Sequence, residues 1–206
     1  MDENKCKVFI RRLKQGGECF SIPGDGILIP IPYDYPSKMP ECAELLSRWR
    51  VENPGLSPAR FPVSNERTEK WLRNSILEND YRVMFMIQNE HRENIGHIGL
   101  SGMNFETSTV RIDSVMKGVK KECPGIMARV IEFLKDLCRE QLEAQSVDLV
   151  VLDDNTRAIR LYEKCDFEVN SSIPLRKIEH DGEINWVEDM SLDKPEKCFL
   201  HMECRL

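Results

Sequence analysis

The stretch that most constrains this chain lies at residues 147–167. Val147-Asp148-Leu149-Val150-Val151-Leu152 is a β-branched, apolar run of the length of a buried strand. Asp154 and Asn155 follow, and the pattern then turns amphipathic through Thr156-Arg157-Ala158-Ile159-Arg160-Leu161-Tyr162-Glu163. A strand that ends in Asp and Asn and continues with helical periodicity is a strand-to-helix junction. Asp154 or Asn155 is its N-cap, because a short side-chain oxygen can accept a free first-turn N–H. Asn155 and Tyr162 lie two turns apart, so they share a helix face with Ala158 and Ile159. That face offers an amide, a small gap and a phenol, a set able to hold a thioester tail and to protonate a thiolate.

The same stretch resembles the late signature of the GNAT superfamily of acyl-CoA-dependent N-acyltransferases, N-x-x-A-(I/x)-x-(L/F)-Y-E-K-x-G-F. Asn155, Ala158, Ile159, Leu161, Tyr162, Glu163, Lys164 and Phe167 match it. Asp166 stands where the family has Gly. That position is expected to end the helix in the left-handed region, which Asp tolerates at a modest cost.

A second region is less regular. Residues 107–116 read as a strand, with Val110, Ile112 and Ser114 on one side and Arg111, Asp113 and Val115 on the other. A loop of residues 117–124 follows, and then a helix over about 125–142. Ile126, Val130, Ile131, Phe133, Leu134, Leu137 and Cys138 form that helix's apolar face. The family places a phosphate-cradling (Q/R)-x-x-G-x-(G/A) loop between such a strand and helix. If Gly125 is its first Gly, Glu122 and Met127 depart from the other two positions. Pro124 is preorganised to start a helix, and the N–H groups after it point out of the positive end of the helix dipole. Lys117, Lys120 and Lys121 add cationic charge beside them. The Pro-Gly-Ile-Met version of the loop also resembles a GNAT subgroup linked to bacterial amino-sugar metabolism.

The rest of the chain is read by pattern. Val8-Phe9-Ile10 and residues 26–32 read as strands around Gly/Pro turns, the second demoted by its prolines to an edge strand or extended cover. Residues 40–52 read as a helix with Leu45, Leu46 and Trp49 on one side. Ser64 caps a second helix with Trp71, Leu72, Ile76 and Leu77 as its buried stripe. Strands follow at 81–87 and 95–100. Near the C-terminus Asp181-Gly182 reads as a hairpin turn between 173–179 and 183–188, and 199–206 as the last strand. The expected class is α/β (α+β), a GNAT fold with a mixed, mostly antiparallel central sheet, splayed in the middle and flanked by helices. Residues 1–206 are expected to form one domain, with an N-terminal strand extension over about 1–35.

Composition narrows the function classes. A net charge of −6 argues against nonspecific nucleic-acid binding, and no apolar run reaches membrane-spanning length. The first residues, Met1-Asp2-Glu3-Asn4-Lys5-Cys6, do not have the pattern of a secretory signal. The eight cysteines (Cys6, Cys19, Cys42, Cys123, Cys138, Cys165, Cys198 and Cys204) form no C-x-x-C pair. No metal is therefore expected, and the expected compartment is the reducing cytoplasm.

The resemblance implies direct transfer of an acetyl group from acetyl-CoA, as co-substrate, to a primary amine. On that implication Ser114, Val115 and Met116 lend backbone hydrogen bonds to the pantetheine arm in the sheet's split. Lys120, Lys121, Cys123, Pro124, Gly125, Ile126 and Met127 form the phosphate loop. Asn155 and Ala158 hold the arm, and Tyr162 protonates the leaving thiolate. Asp113 and His97 are alternative general bases, as is a water relay. Trp49, Arg60, Phe61, Trp71 and Trp186 fall in the segments that would meet the acceptor, with Arg60 and Arg176 as candidate phosphate grips. The expected partner is a small-molecule amine, such as an amino sugar or sugar nucleotide, with no nucleic acid or membrane; a homodimer is compatible. A protein N-terminal or side-chain acetyltransferase, or an inactive acyl-CoA-binding or regulatory protein made credible by Glu122 and Met127, are the alternatives.

Overall fold

The computed structural model describes residues 1–24, 26–119 and 122–206. Lys120 and Lys121 of the expected phosphate loop, and Asp25 of the expected turn, lie outside the described residues. The chain opens not with a strand but with helix α1 (Glu3–Gln15). Asp2 caps it, its carboxylate accepting the Lys5 N–H at 2.8 Å. Cys6, Phe9, Ile10 and Leu13 are buried along it at helical spacing. Three consecutive β-formers at 8–10 are too short a run to set a period, and the 3–4 spacing of the wider segment prevails over them.

β1 (Phe20–Ile22) and β2 (Gly26–Pro30) form a small hairpin. β2 is flanked on both sides, by β1 and β4, so it is not the edge strand that its prolines suggested. The short α2 (Tyr35–Lys38) leads to α3 (Cys42–Glu52), and β3 (Ala59–Arg60) precedes α4 (Asn65–Trp71). Ser64 Oγ caps α4 by accepting the Arg67 N–H at 3.2 Å. The helix continues as a π-helix over Leu72–Leu77, a wider winding that periodicity alone did not show. β4 (Val83–Gln88), β5 (Asn94–Asn104) and β6 (Thr109–Lys117) then form an antiparallel meander. α5 (Ile126–Leu142), β7 (Ser146–Leu152) and α6 (Thr156–Glu163) follow. The chain closes with β8 (Glu168–His180), β9 (Glu183–Glu188) and β10 (Lys197–Arg205). Asp181 and Gly182, both at positive φ, make the β8–β9 turn where the sequence placed it.

Among the described residues ten strands form one sheet in the order β1-β2-β4-β5-β6-β7-β10-β8-β9-β3. Only β6 and β7 run parallel, and they pair over three positions: Thr109 with Ser146, Val110 with Val147 and Arg111 with Asp148. Beyond Arg111 the two strands part, giving the splayed sheet that the motifs implied. Both faces of the sheet are covered. α1, α5 and α6 pack against one face with Val83, Phe85 and Ile87 beneath them. α3 and the α4–π segment pack against the other over Met84 and Met86. This period-2 exchange along β4 shows why a nearly continuous apolar run is required there. On α5 the buried Val130, Ile131, Leu134 and Cys138 anchor the helix to the sheet, each large aliphatic contributing about 1.5–3 kcal/mol relative to exposure.

Candidate active site

The split between β6 and β7 opens into a cavity of about 870 Å³ that passes from one face of the sheet to the other. One end is lined by Gly125, Ile126, Met127 and Ala128 of α5 and by Asn155, Ala158 and Tyr162 of α6. The middle is lined by Ser114, Val115, Met116 and His97, and the far end by Arg50, Phe61, Arg67 and Trp71.

Three local features build the middle. First, the β5–β6 register shifts between His97 and Gly99, where Ser114 and Val115 stand opposite the single Ile98. Ser114 has φ +51°, so the strict alternation expected along β6 breaks there in a bulge. Gly96 fits this approach because a Cβ on it would lie 2.5 Å from the Met116 carbonyl oxygen. Second, His97 Nδ1 meets the Ser114 carbonyl oxygen at 2.7 Å. A carbonyl only accepts, so Nδ1 carries the proton and Nε2 is left with the lone pair. His97 stacks on the fully buried Trp49 at 6.0 Å, and burial pushes its imidazole pKa down to about 4. Third, Asp148 fixes where the strands part. It accepts from Arg111 Nε at 3.1 Å and faces His201 Nε2 at 2.8 Å, tying β6, β7 and β10 together at the last parallel pair.

The helix ends build the first chamber. Asn155 is the N-cap of α6, its side-chain oxygen accepting the Ala158 N–H at 3.3 Å; its amide nitrogen remains available to donate. Asp154, the alternative cap, instead pairs with Lys197. Asp166 closes the helix at φ +63°, as expected for the residue in place of Gly. Tyr162 is 6 % exposed and lines the cavity, and burial holds its phenol pKa above the usual value. Gly125, at φ +78°, is the N-cap of α5, so Pro124 lies one position ahead of it rather than inside the first turn. The N–H groups of Met127 and Ala128 have no protein acceptor among the described residues, whereas Ile126 N donates to Cys123 O at 3.2 Å. Two free helix-end donors facing a cavity fit an anionic group.

Several expected site residues are displaced or engaged. Cys123 and Pro124 do not line the cavity; their carbonyls hold Lys117 Nζ (3.3 Å) and Arg129 (3.1 Å) and so shape the loop. Glu122, in the motif's Arg/Gln position, accepts from Asn89 Nδ2 at 3.2 Å, and Met127 is packed into the core. Asp113 reaches the cavity, but its carboxylate is paired with Arg82 at 2.6 Å, which occupies the candidate base. Trp49 is core rather than acceptor surface, its ring covering Gly118, where a Cβ would lie 2.1 Å away. Arg60 lines a separate hollow beside Asp181 and Glu183, Arg176 is paired with Asp189, and Lys197 lies 5.8 Å above the Trp186 ring. Phe61 and Trp71 do line the far end. The cations there that the sequence did not single out are Arg50, Arg67 and Arg111, with Arg157 in the first chamber beside Lys117, which it did. No local pattern in the sequence signals Arg50, since Arg60 too is followed by the aromatic Phe61.

No group of His, Cys, Asp or Glu among the described residues could hold a metal ion. No described helix is long and apolar enough to cross a membrane.

Comparison with known proteins agrees with this geometry. The family model described as "Acetyltransferase (GNAT) family" matches residues 44–167, more than half of the chain. No curated protein sequence matches it. Among solved structures, the spermidine N-acetyltransferase of Vibrio cholerae, in complex with CoA and spermine, aligns with a TM-score of 0.64 at 13% identity, covering 88% of this chain and 95% of that one. The microcin C7 self-immunity acetyltransferase MccE, in complex with acetyl-CoA and AMP, gives a TM-score of 0.69 at 12% identity over 94% and 99%. RimL, the ribosomal L7/L12 alpha-N-protein acetyltransferase in complex with coenzyme A, gives 0.66 at 13% over 92% and 98%. With the family model spanning the splayed strands, α5 and α6 that line the first chamber, this chain belongs to the GNAT family of acetyltransferases.

Proposed function

We propose that the chain transfers the acetyl group of acetyl-CoA to the primary amine of a small polar molecule, with an amino sugar or sugar nucleotide as the acceptor class. The observation that carries this reading is the continuity of the cavity. It joins the free N–H groups at the start of α5 and the Tyr162 phenol to a second chamber between α3 and α4. Acetyl-CoA bound in the first chamber supplies an activated acyl group as a thioester.

The chain's own groups do the rest. Met127 and Ala128 N–H, with the positive end of the α5 dipole and the nearby Lys117 and Arg157, offset phosphate charge. The edge of β6 that β7 leaves past Arg111, along Ser114, Val115 and Met116, offers hydrogen bonds to an extended amide-bearing arm, and Asn155 donates to the same arm. Ala158 leaves the room it needs. Tyr162 stays protonated through the neutral range and donates its proton to the leaving sulfur. His97 Nε2, unprotonated at neutral pH, accepts the amine's proton; Asp113, paired with Arg82, serves the site's charge balance instead.

Acetyl-CoA-dependent thiol release is the test, run with a 4-amino-sugar nucleotide, a free amino sugar, spermidine and an N-terminal peptide. Turnover of a sugar amine is expected. Preferential turnover of the peptide or spermidine would reject the sugar reading while leaving acetyl transfer standing. Tyr162→Phe should lower the rate roughly tenfold to a thousandfold with acetyl-CoA affinity little changed. An unchanged rate, with chemistry limiting, would remove Tyr162 from the mechanism.

A further inference from the structure

We propose that the acceptor carries a carboxylate or phosphate besides its amine, and that Arg50 is the residue that holds that anion. The inference rests on the transfer reading above and adds the chemical class of what enters the second chamber. Arg50 sits near the end of α3, half-buried, with its guanidinium stacked 4.5 Å over the Phe61 ring. One terminal nitrogen donates to Ser57 Oγ at 2.9 Å and to Ala59 O at 3.4 Å, both neutral acceptors. Among the described residues no carboxylate lies within ion-pair distance of it, and its other nitrogens donate to no protein group.

The neighbouring cations differ. Arg67 is paired with Glu183 at 3.0 Å, and Arg111 with Asp148. Among the described residues the one carboxylate lining the cavity, Asp113, is already matched by Arg82. Arg50 therefore leaves an unneutralised, partly desolvated positive charge in the chamber, and burial alone draws its pKa down.

The guanidinium is also held in place. Its loop is pinned to the β8–β9 hairpin by the β3–β9 pairing and by Trp186 N–H donating to Pro58 O at 3.0 Å. A planar group fixed in this way keeps its Nη1–H groups free to give an oxyanion a charge-assisted hydrogen bond. Trp49, the residue before Arg50, stacks on His97 at 6.0 Å, and Arg50 and His97 line the same cavity, so the anion site and the proton-accepting imidazole share one chamber. An amine and an anion joined by a short spacer would span the two. A polyamine, with several positive charges and no negative one, would meet the guanidinium unfavourably.

Binding, measured by titration calorimetry on the full chain without turnover, separates this inference from the transfer reading. The probes are serine against serinamide, for the carboxylate arm, and glucosamine 6-phosphate against glucosamine, for the phosphate arm. At least one acid should bind the wild type more tightly than its neutral counterpart. Arg50→Gln should weaken that acid by about tenfold to a hundredfold and erase the preference, leaving acetyl-CoA affinity unchanged. Arg50→Lys, which keeps the charge but not the planar guanidinium anchored by Ser57 and Ala59, should fall between. Whichever arm responds identifies the anion. Equal binding of acid and neutral probe by the wild type, no binding of either acid, or the same loss for both probes in Arg50→Gln overturns the proposal. Spermidine acetylated without such a preference would do so while leaving acetyl transfer intact.

Discussion

Replacing His97 by Asn should flatten the dependence of stability on pH between about pH 5 and 7.5. The magnitude follows from the structure. His97 is 8 % exposed, and burial lowers its pKa from 6.5 to about 4. The folded state therefore binds fewer protons than the unfolded state at pH values between those two. A depressed histidine costs nothing above the unfolded pKa, and it destabilises progressively as pH falls towards the folded one. At about pH 7.5 the contribution is negligible; at about pH 5 the unfolded imidazole is largely protonated and the folded one is not, which lowers stability by about 2 kcal/mol, rising to about 3 kcal/mol below the folded pKa.

Acidic groups with lowered pKa, such as Asp80 and Asp189, start from 3.8, so their loss of stability falls below this window. Urea unfolding of wild type and His97→Asn across the window isolates the effect as the difference between two curves. The Asn side chain can still donate to the Ser114 carbonyl, and any constant packing loss moves the whole curve without changing its slope. Parallel curves, agreeing within about 0.5 kcal/mol in slope across the window, would refute the assignment of a buried, neutral His97.

Asp148→Ala should lower stability by about 2 kcal/mol in urea unfolding, less than for a fully buried pair because Arg111 keeps some solvent. Unchanged stability would mean that the Arg111–Asp148–His201 cluster does not hold the strands at their point of divergence. Gly96→Ala places a methyl 2.5 Å from the Met116 carbonyl oxygen. It should cost about 1–3 kcal/mol and, by moving β6, weaken acetyl-CoA binding in a thermal-shift titration; an undisturbed melting temperature and titration would show that the bulge is slack.

What the sequence determined by itself is local. The β7–α6 junction, a cap at Asp154 or Asn155, the left-handed Asp166, the apolar face of α5 and the Asp181-Gly182 turn each rest on residues within a few positions of one another. Periodicity and capping are properties of such short windows. The face that unites Asn155, Ala158 and Tyr162 was legible for the same reason. The short β run at 8–10 misled because three residues carry no period, and α1 became visible only with Cys6 and Leu13 buried on the same side.

Tertiary structure decided what depends on partners far apart in the chain. Arg82 and Asp113 are 31 positions apart, and Arg111 and Asp148 are 37 apart. One pairing removes Asp113 as a free base; the other sets where the sheet splits. The bulge at Ser114 arises from how β5 and β6 align, not from the alternation of either strand alone. Arg50 carries no sequence mark that distinguishes it from Arg60 or Arg176. Only the folded chain shows which guanidinium has found a carboxylate and which still faces an open chamber, because charge pairing is fixed by proximity in space and not by order along the chain.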